Sequence, residues 1–189
     1  MSDVTVIKVG GSLYDLPRLG ERLRIWIESS SPVLLVPGGG SIADTVREWD
    51  ADHSLGEERA HWLAVRALSL NAWFLRDLIP ESRVWSGPFH EVPAESRLIL
   101  DAWAFLRADQ SNDLTLPPCW NSTSDSIAAR VASVIGAREL ILLKSVSIPF
   151  GLSWSQAAEQ GHVDSMFPST IAHLRCPIRV INFRDETSC

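Results

Sequence analysis

Short runs of β-branched and leucine residues alternate along the chain with longer segments in which apolar residues recur at helical spacing. This alternation is typical of βα units around a mainly parallel sheet. The apolar runs predict strands over residues 4–9, 32–37, 97–102, 139–144 and 177–183. The amphipathic segments predict helices over residues 16–29, 41–50, 56–79 and 124–137, the first opened by Pro17 and the last ended by Gly136. The pattern therefore indicates an α/β fold.

The long helix predicted over residues 56–79 carries more apolar residues than one core-facing stripe needs. They include Trp62, Leu63, Leu70, Trp73 and Phe74. We therefore predict that this helix is buried on two sides. Because a single core would not cover all of these side chains, we also expect the helix to help form a homodimer.

Composition limits the possible classes of function. With 189 residues, 46% of them hydrophobic and 21% charged, the chain suits one globular domain spanning residues 1–189. The net charge of -6, with arginines scattered among 23 acidic residues, argues against a nucleic-acid surface. No apolar run approaches the length of a membrane span and the N-terminus shows no signal-peptide pattern, so we expect a cytoplasmic protein without a membrane partner.

Glycine residues are concentrated at two places that directly follow predicted strands, Gly10-Gly11 and Gly38-Gly39-Gly40. A glycine run between a strand and a helix lets backbone N–H groups approach an anion without a Cβ in the way, and the helix adds its positive end. The alternative is a pair of tight turns that need positive φ and bind no ligand. GxxxxGK[ST] and GxGxxG are absent from the sequence, which disfavours a P-loop or a dinucleotide-binding fold.

The basic residues are almost all arginine, and Lys8 and Lys144 are the two lysines among the 17 lysines and arginines. Each stands in or at the end of a short apolar run that is predicted to be a strand. A compact ammonium, unlike a planar guanidinium, can enter a tight site as a point charge beside phosphate. Together with the two glycine turns, Lys8 favours a phosphate site over turns without a ligand.

The segment WNSTSDSIAARVA places a polar cluster before a helix of small residues. Ser122, Thr123 and Ser124 are suitable N-cap residues, and Asp125 falls in the first helical turn, where the macrodipole favours a carboxylate. This local role is a sufficient explanation of the cluster. The functional alternative is that Asp125 also faces the lysines at the sheet end and holds their ammonium groups in position for phosphate.

These motifs resemble the amino acid kinase family, whose members include acetylglutamate kinase, aspartokinase, uridylate kinase and isopentenyl phosphate kinase. VIKVGGSL is similar to the family's opening Lys-x-Gly-Gly-Ser motif, LLVPGGGSIAD to its second glycine loop, and STSDSIAARVA to its Asp-bearing helix start. LILLKSV stands where the family has the strand that leads to the nucleotide loop. The resemblance implies a three-layer αβα sandwich around a mainly parallel sheet, and an ATP-dependent small-molecule kinase that uses Mg2+.

The resemblance also implies roles for individual residues. Lys8 would bind the transferring phosphoryl group, Asp125 would organise the lysines, and Lys144 would supply the second catalytic ammonium. Nucleotide and phosphate contacts would come from Gly10, Gly11, Ser12, Ser145 and Gly151. Apart from the resemblance, we also expect Asp164 to face the nucleotide. Acceptor contacts would come from Gly38, Gly39 and Gly40. Apart from the resemblance, we also expect His61 and Ser124 to contact the acceptor. No residue is assigned as a direct metal ligand.

Two of these assignments have structural alternatives. Asp164 suits a helix N-cap as well as a contact with nucleotide or metal. His61, inside the long predicted helix, suits a packed structural residue as well as a contact in the acceptor pocket. The remaining histidines show no spacing with acids or cysteines that is typical of zinc sites.

Within the family, the segments RAHWLAVRAL, LPPCWNSTSDSIAA, LLKSV and GHVDSMFP resemble small archaeal-type kinases that phosphorylate aminomethylfuran phosphate during methanofuran synthesis. GHVDSMFP lacks the lysine of the late Gly-Gly-Met-x-x-Lys segment of many members, so catalysis would depend on Lys144. Two alternatives stay open. One is a non-catalytic nucleotide- or anion-binding or storage member of the fold, and the other is a kinase for a different small carboxylate or an isoprenoid monophosphate.

Overall fold

A computed structural model of the chain describes residues 2–28, 32–93 and 97–185. Its centre is a six-stranded sheet in which every pairing is parallel. The strands are β1 (Thr5–Val9), β2 (Val33–Pro37), β3 (Arg83–Trp85), β4 (Arg97–Leu100), β5 (Glu139–Lys144) and β6 (Ile178–Asn182), in the order β3-β4-β2-β1-β5-β6. Since the strands are parallel, their carboxyl ends share one edge of the sheet, with β1 between β2 and β5.

Helices cover both faces of this sheet. They are α1 (Leu19–Glu28), α2 (Gly40–His53), α3 (Glu57–Leu78), α4 (Ala102–Asp109), α5 (Ser124–Ile135), α6 (Trp154–Glu159) and α7 (Phe167–Ile171), with a turn of 3-10 helix at Gly11–Leu13. On one face, Leu23 of α1 and Leu75 of α3 pack with Ile7 of β1. On the other face, Ile127 of α5 packs with Val6 of β1. The chain therefore forms the three-layer αβα sandwich that the sequence predicted.

The five predicted strands and four predicted helices are all present, with most of their ends shifted by one to three residues. Two of these shifts have a local physical cause. The strand predicted over residues 97–102 ends at Leu100 because Asp101 is the N-cap of α4, where its carboxylate accepts hydrogen bonds from the N–H groups of Trp103 and Ala104. The first helix begins at Leu19 rather than at residue 16, because Arg18 has a left-handed φ of 59°. Residue 29, the last of that predicted helix, lies outside the described residues.

The sequence did not predict β3, α4, α6 or α7. These elements are short, with 3, 8, 6 and 5 residues. A strand or helix of this length contains too few turns or alternations for its apolar period to stand out. None of them changes the arrangement of β1, β5 and α5, which carry the predicted lysines and Asp125.

Helix α3 packs against both α2 and the sheet, but most of the large apolar side chains that led us to predict burial on a second side are exposed. Ala64 and Ala67 pack against α2, and Leu75 packs against the sheet. Large side chains remain exposed on the opposite face at Leu63 (38%), Leu70 (56%), Trp73 (57%) and Phe74 (40%). Within the described residues, no helix has both the length and the apolar character that a membrane span requires.

Candidate active site

The two lysines lie on neighbouring strands at the carboxyl edge of the sheet. Lys8 of β1 stands opposite Leu142 of β5, and Lys144 is the last residue of β5. Successive side chains of a strand point to opposite faces, so Lys8 shares a face with Val6, and Lys144 shares a face with Leu142. Val6 and Leu142 belong to the apolar cluster that includes α5. The alternation of the two strands therefore points both ammonium groups towards α5.

Asp125 lies between the two ammonium groups. Lys8 Nζ is 2.8 Å from Asp125 Oδ1, and Lys144 Nζ donates a hydrogen bond of 2.5 Å to Asp125 Oδ2. All three side chains are largely buried, with exposures of 7% for Lys8, 6% for Asp125 and 12% for Lys144. Oδ1 accepts no well-angled hydrogen bond from the described residues, so its contact with Lys8 is an ion pair. One carboxylate thus faces two ammonium groups.

Burial and the close charges shift the protonation of this cluster. Burial, together with the Lys8 ammonium, lowers the pKa of Lys144 to about 8, although Asp125 and Asp164 act in the opposite direction. Burial alone would raise the pKa of Asp125, but the two ammonium groups outweigh it and hold that pKa below its ordinary value. Near neutral pH the cluster therefore has an excess of one positive charge, which an anion would balance.

The start of α5 is held by two neighbouring side chains. Thr123 is the N-cap, and its Oγ1 accepts a hydrogen bond from the Asp125 N–H. Asp164, in the segment between α6 and α7, accepts five hydrogen bonds, from the N–H and hydroxyl groups of both Thr123 and Ser126 and from the N–H of Met166. A carboxylate is favoured at a helix N-terminus. Asp164 thereby fixes the helical turn that carries Asp125.

The two glycine loops pack directly on each other beside the end of β1. A Cβ on Gly11 would lie 2.2 Å from Gly40 N, and a Cβ on Gly38 would lie 2.3 Å from Gly11 N. Gly40 also has a left-handed φ of 57°. Backbone contact between the loops therefore requires glycine at these positions whether or not a ligand binds.

The sequence analysis missed two side chains that hold the second glycine loop. Asn71 Nδ2 donates hydrogen bonds of 2.8 Å to the carbonyl oxygens of Gly38 and Gly39, and Tyr14 Oη donates one of 2.9 Å to Gly38. Burial raises the pKa of Tyr14, so its hydroxyl stays protonated and available as a donor. The C=O and N–H of a trans peptide point in opposite directions, so the N–H groups of Gly39 and Gly40 point away from Asn71.

A cavity of about 290 Å³ opens beside the glycine loops. Gly39, Gly40 and Ser12 line it, as do His61 of α3 and Ser124 of α5. The structure therefore brings most residues predicted to bind the acceptor to one space next to the lysine cluster. Gly38 lies behind this space, with its carbonyl bound by Asn71 and Tyr14.

Arg47 and Trp120 also line the cavity, and the sequence analysis did not identify them. The Arg47 guanidinium lies 4.9 Å from the centre of the Trp120 ring and pairs with Asp44 at 2.7 Å. Trp120 Nε1 donates a hydrogen bond of 2.9 Å to Asp50. Two residues of α2, Arg47 and Asp50, therefore fix the position of the Trp120 ring.

The residues predicted to contact the nucleotide have different surroundings. Ser12 Oγ donates a hydrogen bond of 2.8 Å to Ser145 Oγ, which links the first glycine loop to the segment after β5. Gly10 lies against β5, where a Cβ would be 2.8 Å from the Leu143 carbonyl oxygen. Gly151 lies in an exposed turn with a φ of 86°, and a Cβ there would meet open space. Their contacts with a nucleotide remain predictions.

The described residues fit a nucleotide phosphate better than a metal held by the protein. Among them, no group of three or more His, Cys, Asp and Glu side chains lies close enough to hold a metal ion. Asp125 is engaged by two lysines, and Asp164 accepts five hydrogen bonds, so neither carboxylate is free to ligate Mg2+. The ammonium groups of Lys8 and Lys144 instead suit phosphate oxygens.

Comparison of the sequence with known proteins finds a matching family and a relative. Residues 3–147 match the amino acid kinase family. The chain is 24% identical over 195 residues to [5-(aminomethyl)furan-3-yl]methyl phosphate kinase of Methanocaldococcus jannaschii, and the match covers 95% of this chain and 88% of that relative.

Solved structures have a similar fold. The uridylate kinase of Archaeoglobus fulgidus matches with a TM-score of 0.63 and 18% identity, covering 95% of this chain and 90% of that one. The UMP kinase of Ureaplasma parvum matches with a TM-score of 0.64 and 16% identity, covering 98% of this chain and 92% of that one. At these identities the likeness shows the fold alone.

Proposed function

The chain belongs to the amino acid kinase family and is a kinase, a phosphotransferase that acts on a small molecule, and we propose that its phosphoryl donor is ATP and its acceptor a phosphate or carboxylate. The observation that carries this proposal is the buried cluster of Lys8, Asp125 and Lys144. Its excess positive charge lies at the carboxyl ends of two adjacent parallel strands, beside the glycine loops and the cavity. Ligands bind at this edge in many open α/β sheets.

Phosphoryl transfer depends mainly on in-line positioning and on positive charge around the equatorial oxygens. Lys8 and Lys144 would stabilise the charge on those oxygens, while Asp125 holds both ammonium groups in place. A phosphate or carboxylate acceptor is already ionised near neutral pH, so its attacking oxygen needs no general base. The cluster can therefore act without a free carboxylate or imidazole beside the reacting atoms.

We propose that the first glycine loop and Ser145 bind the nucleotide phosphates and that the cavity binds the acceptor. The hydrogen bond between Ser12 and Ser145 supports this division, because it joins the first loop to the segment that follows Lys144. Mg2+ would enter with the phosphates of ATP, since Asp125 and Asp164 are engaged by the lysines and by the start of α5.

For the acceptor we propose a small phosphomonoester such as [5-(aminomethyl)furan-3-yl]methyl phosphate. The relative that carries this compound in its name aligns along 95% of this chain, and the cavity volume of about 290 Å³ suits a small molecule. The alternative is that the acceptor is a different small phosphate or a carboxylate, and the experiment must distinguish these candidates.

The test is ATP consumption by the purified chain in the presence of Mg2+ and one acceptor at a time. [5-(aminomethyl)furan-3-yl]methyl phosphate, isopentenyl phosphate and free amino acids are the acceptors to compare. We expect ADP formation that depends on the acceptor, and we expect Lys144→Ala to lower its rate by on the order of a hundredfold or more. A wild-type chain that binds ATP and transfers to none of these acceptors would contradict the proposal and favour a nucleotide-binding role.

We also propose that a second copy of the chain covers the exposed face of α3. Leu70 and Trp73 are each more than half exposed on the same face, and Leu63 and Phe74 extend the apolar surface. Light scattering should give the mass of a dimer at micromolar concentration, and Trp73→Glu should shift it to that of a monomer. A wild-type monomer at that concentration would rule the dimer out.

A further inference from the structure

His61 is a polar group of the cavity that the proposed transfer step does not use. It lies on α3 with 5% of its surface exposed, and it lines the cavity. Its Nδ1 is 2.9 Å from the backbone carbonyl oxygen of Cys119. A carbonyl oxygen can only accept a hydrogen bond, so Nδ1 must carry the proton and donate it.

The protonation of the other ring nitrogen follows from this contact. Burial lowers the pKa of His61. The Cys119 carbonyl and the acidic side chains of Glu57 and Glu58 raise this pKa, but by less. The ring is therefore neutral near pH 7, with its proton on Nδ1. In a neutral imidazole with this tautomer, Nε2 has a lone pair and acts as an acceptor.

Three other polar side chains of the cavity, those of Ser122, Thr123 and Arg47, are already engaged. Ser122 Oγ donates to the carbonyl oxygen of Pro117 at 2.7 Å, and Thr123 Oγ1 donates to Asp164 at 2.6 Å. The Arg47 guanidinium is paired with Asp44, so its charge is compensated within α2. His61 differs from these groups. Its ring lines the cavity, and among the described residues a hydrogen-bond partner is found for Nδ1 but not for Nε2.

We infer that His61 Nε2 accepts a hydrogen bond from a donor group, an ammonium or a hydroxyl, on the body of the acceptor molecule. The inference rests on the proposed function and narrows its substrate class. The glycine loops and the lysine cluster would bind the anionic, reacting end of the acceptor. His61 would hydrogen-bond to a donor group elsewhere on the same molecule. A phosphomonoester without such a donor would leave Nε2 unpaired and would bind more weakly.

The experiment compares two phosphomonoesters that differ in one group. The probes are [5-(aminomethyl)furan-3-yl]methyl phosphate and furan-3-ylmethyl phosphate, which lacks the aminomethyl group. Binding of each probe is measured by isothermal titration calorimetry, so the result does not depend on turnover. We expect the wild type to bind the amine-bearing probe about tenfold more tightly, as a hydrogen bond to a charged group would give.

Two variants separate recognition by Nε2 from a merely structural role. His61→Asn places an amide N–H near the position of Nδ1, so it can keep the bond to Cys119 while it removes the Nε2 acceptor. We expect it to lose the tenfold preference with little change for furan-3-ylmethyl phosphate or ATP. His61→Gln places an amide oxygen near the position of Nε2, and we expect it to recover part of the preference. Melting temperatures of both variants check the fold.

Equal binding of the two probes by the wild type, or an unchanged preference in His61→Asn, would overturn the inference. Failure of the wild type to bind either probe at millimolar concentration would also overturn it. If the preference is present and depends on His61 but no phosphoryl group is transferred, the recognition by His61 stands and the proposed reaction with this acceptor fails.

Discussion

Helix α5 takes part in two buried ion clusters that differ in how completely their charges are matched. Near its C-terminal half, Arg130 Nε and Nη2 donate hydrogen bonds of 2.7 and 2.8 Å to the two oxygens of Asp109. Asn112 adds a further hydrogen bond of 2.6 Å to Asp109. At its start, Asp125 faces both Lys8 and Lys144, and one of its oxygens accepts no well-angled hydrogen bond from the described residues.

The difference between these clusters distinguishes a structural ion pair from a site prepared for a ligand. At Asp109 the charges of one guanidinium and one carboxylate cancel, and the planar guanidinium donates to both carboxylate oxygens. Two ammonium groups and one carboxylate leave an excess charge at Asp125. A buried excess charge is unfavourable unless an anion shares the site. The first cluster should therefore matter for folding, and the second for binding and transfer of phosphate.

The largest effect is expected at the matched pair. Arg130→Met leaves the buried Asp109 carboxylate without its cation, and this should lower the free energy of unfolding by about 3–5 kcal/mol. Urea unfolding measures the loss. Turnover per folded molecule should stay at the wild-type level, because Arg130 lies outside the lysine cluster.

A matched control exists for this variant at the surface. Arg76 pairs with Asp77 at 2.9 Å, with 49% of the Arg76 side chain exposed. Arg76→Met should change the free energy of unfolding by less than about 1 kcal/mol. An Arg130→Met protein no less stable than Arg76→Met would show that the Asp109 cluster does not support the fold.

The second effect is on catalysis. Lys8→Ala and Lys144→Ala should each lower turnover by on the order of a hundredfold or more, because each removes charge stabilisation of the transferring group. Both variants should keep a cooperative melting transition, since Asp125 retains one ammonium partner in each. Wild-type turnover in Lys144→Ala would mean that this lysine merely ends β5.

A smaller loss is expected when the support of the cluster is changed. Asp164→Asn weakens the hydrogen bonds that hold the first turn of α5, so Asp125 and the two lysines should be positioned less well. We expect kcat to fall by about tenfold while the KM for ATP stays within about twofold. A rise in the KM for ATP without a change in kcat would instead indicate that Asp164 contacts the nucleotide.

The smallest effect is a pH dependence of catalysis. Lys144 loses its proton as the pH rises through about 8, because burial and the Lys8 ammonium lower its pKa more than Asp125 and Asp164 raise it. If the charge on Lys144 is required, kcat/KM should fall above about pH 8. Bound phosphate would favour the charged form, so kcat should fall only at a higher pH. A kcat/KM profile that stays flat to pH 9.5 would contradict this role.

The lysine cluster was predictable because each of its parts has a local signal in the sequence. Lys8 lies within an apolar run and Lys144 ends another, and the alternation of a strand fixes the face on which each side chain lies. Asp125 follows three residues suited to an N-cap, of which Thr123 takes that role. The βα alternation likewise predicted the succession of the main strands and helices along the chain.

The remaining contacts come from residues that are distant in sequence. Asp164 binds the start of α5 from 41 and 38 residues away, and Asn71 binds the glycine loop from 33 residues away. No periodicity encodes such pairings. Asn71 did carry a usable signal, because it is a polar residue on the buried stripe of α3. Asp101 carried another, since an aspartate that ends an apolar run is a suitable N-cap for a following helix.

The most direct test of the account uses the fact that Lys8 and Lys144 are the two lysines of the sequence. Labelling lysine with 13C at Cε gives two NMR signals, which can be assigned with Lys8→Ala and Lys144→Ala. On addition of Mg2+ and a non-hydrolysable ATP analogue, both signals should shift, and the pKa of Lys144 should rise above about 8. If calorimetry shows that the analogue binds and both signals and that pKa stay unchanged, the lysine cluster is not the phosphate site.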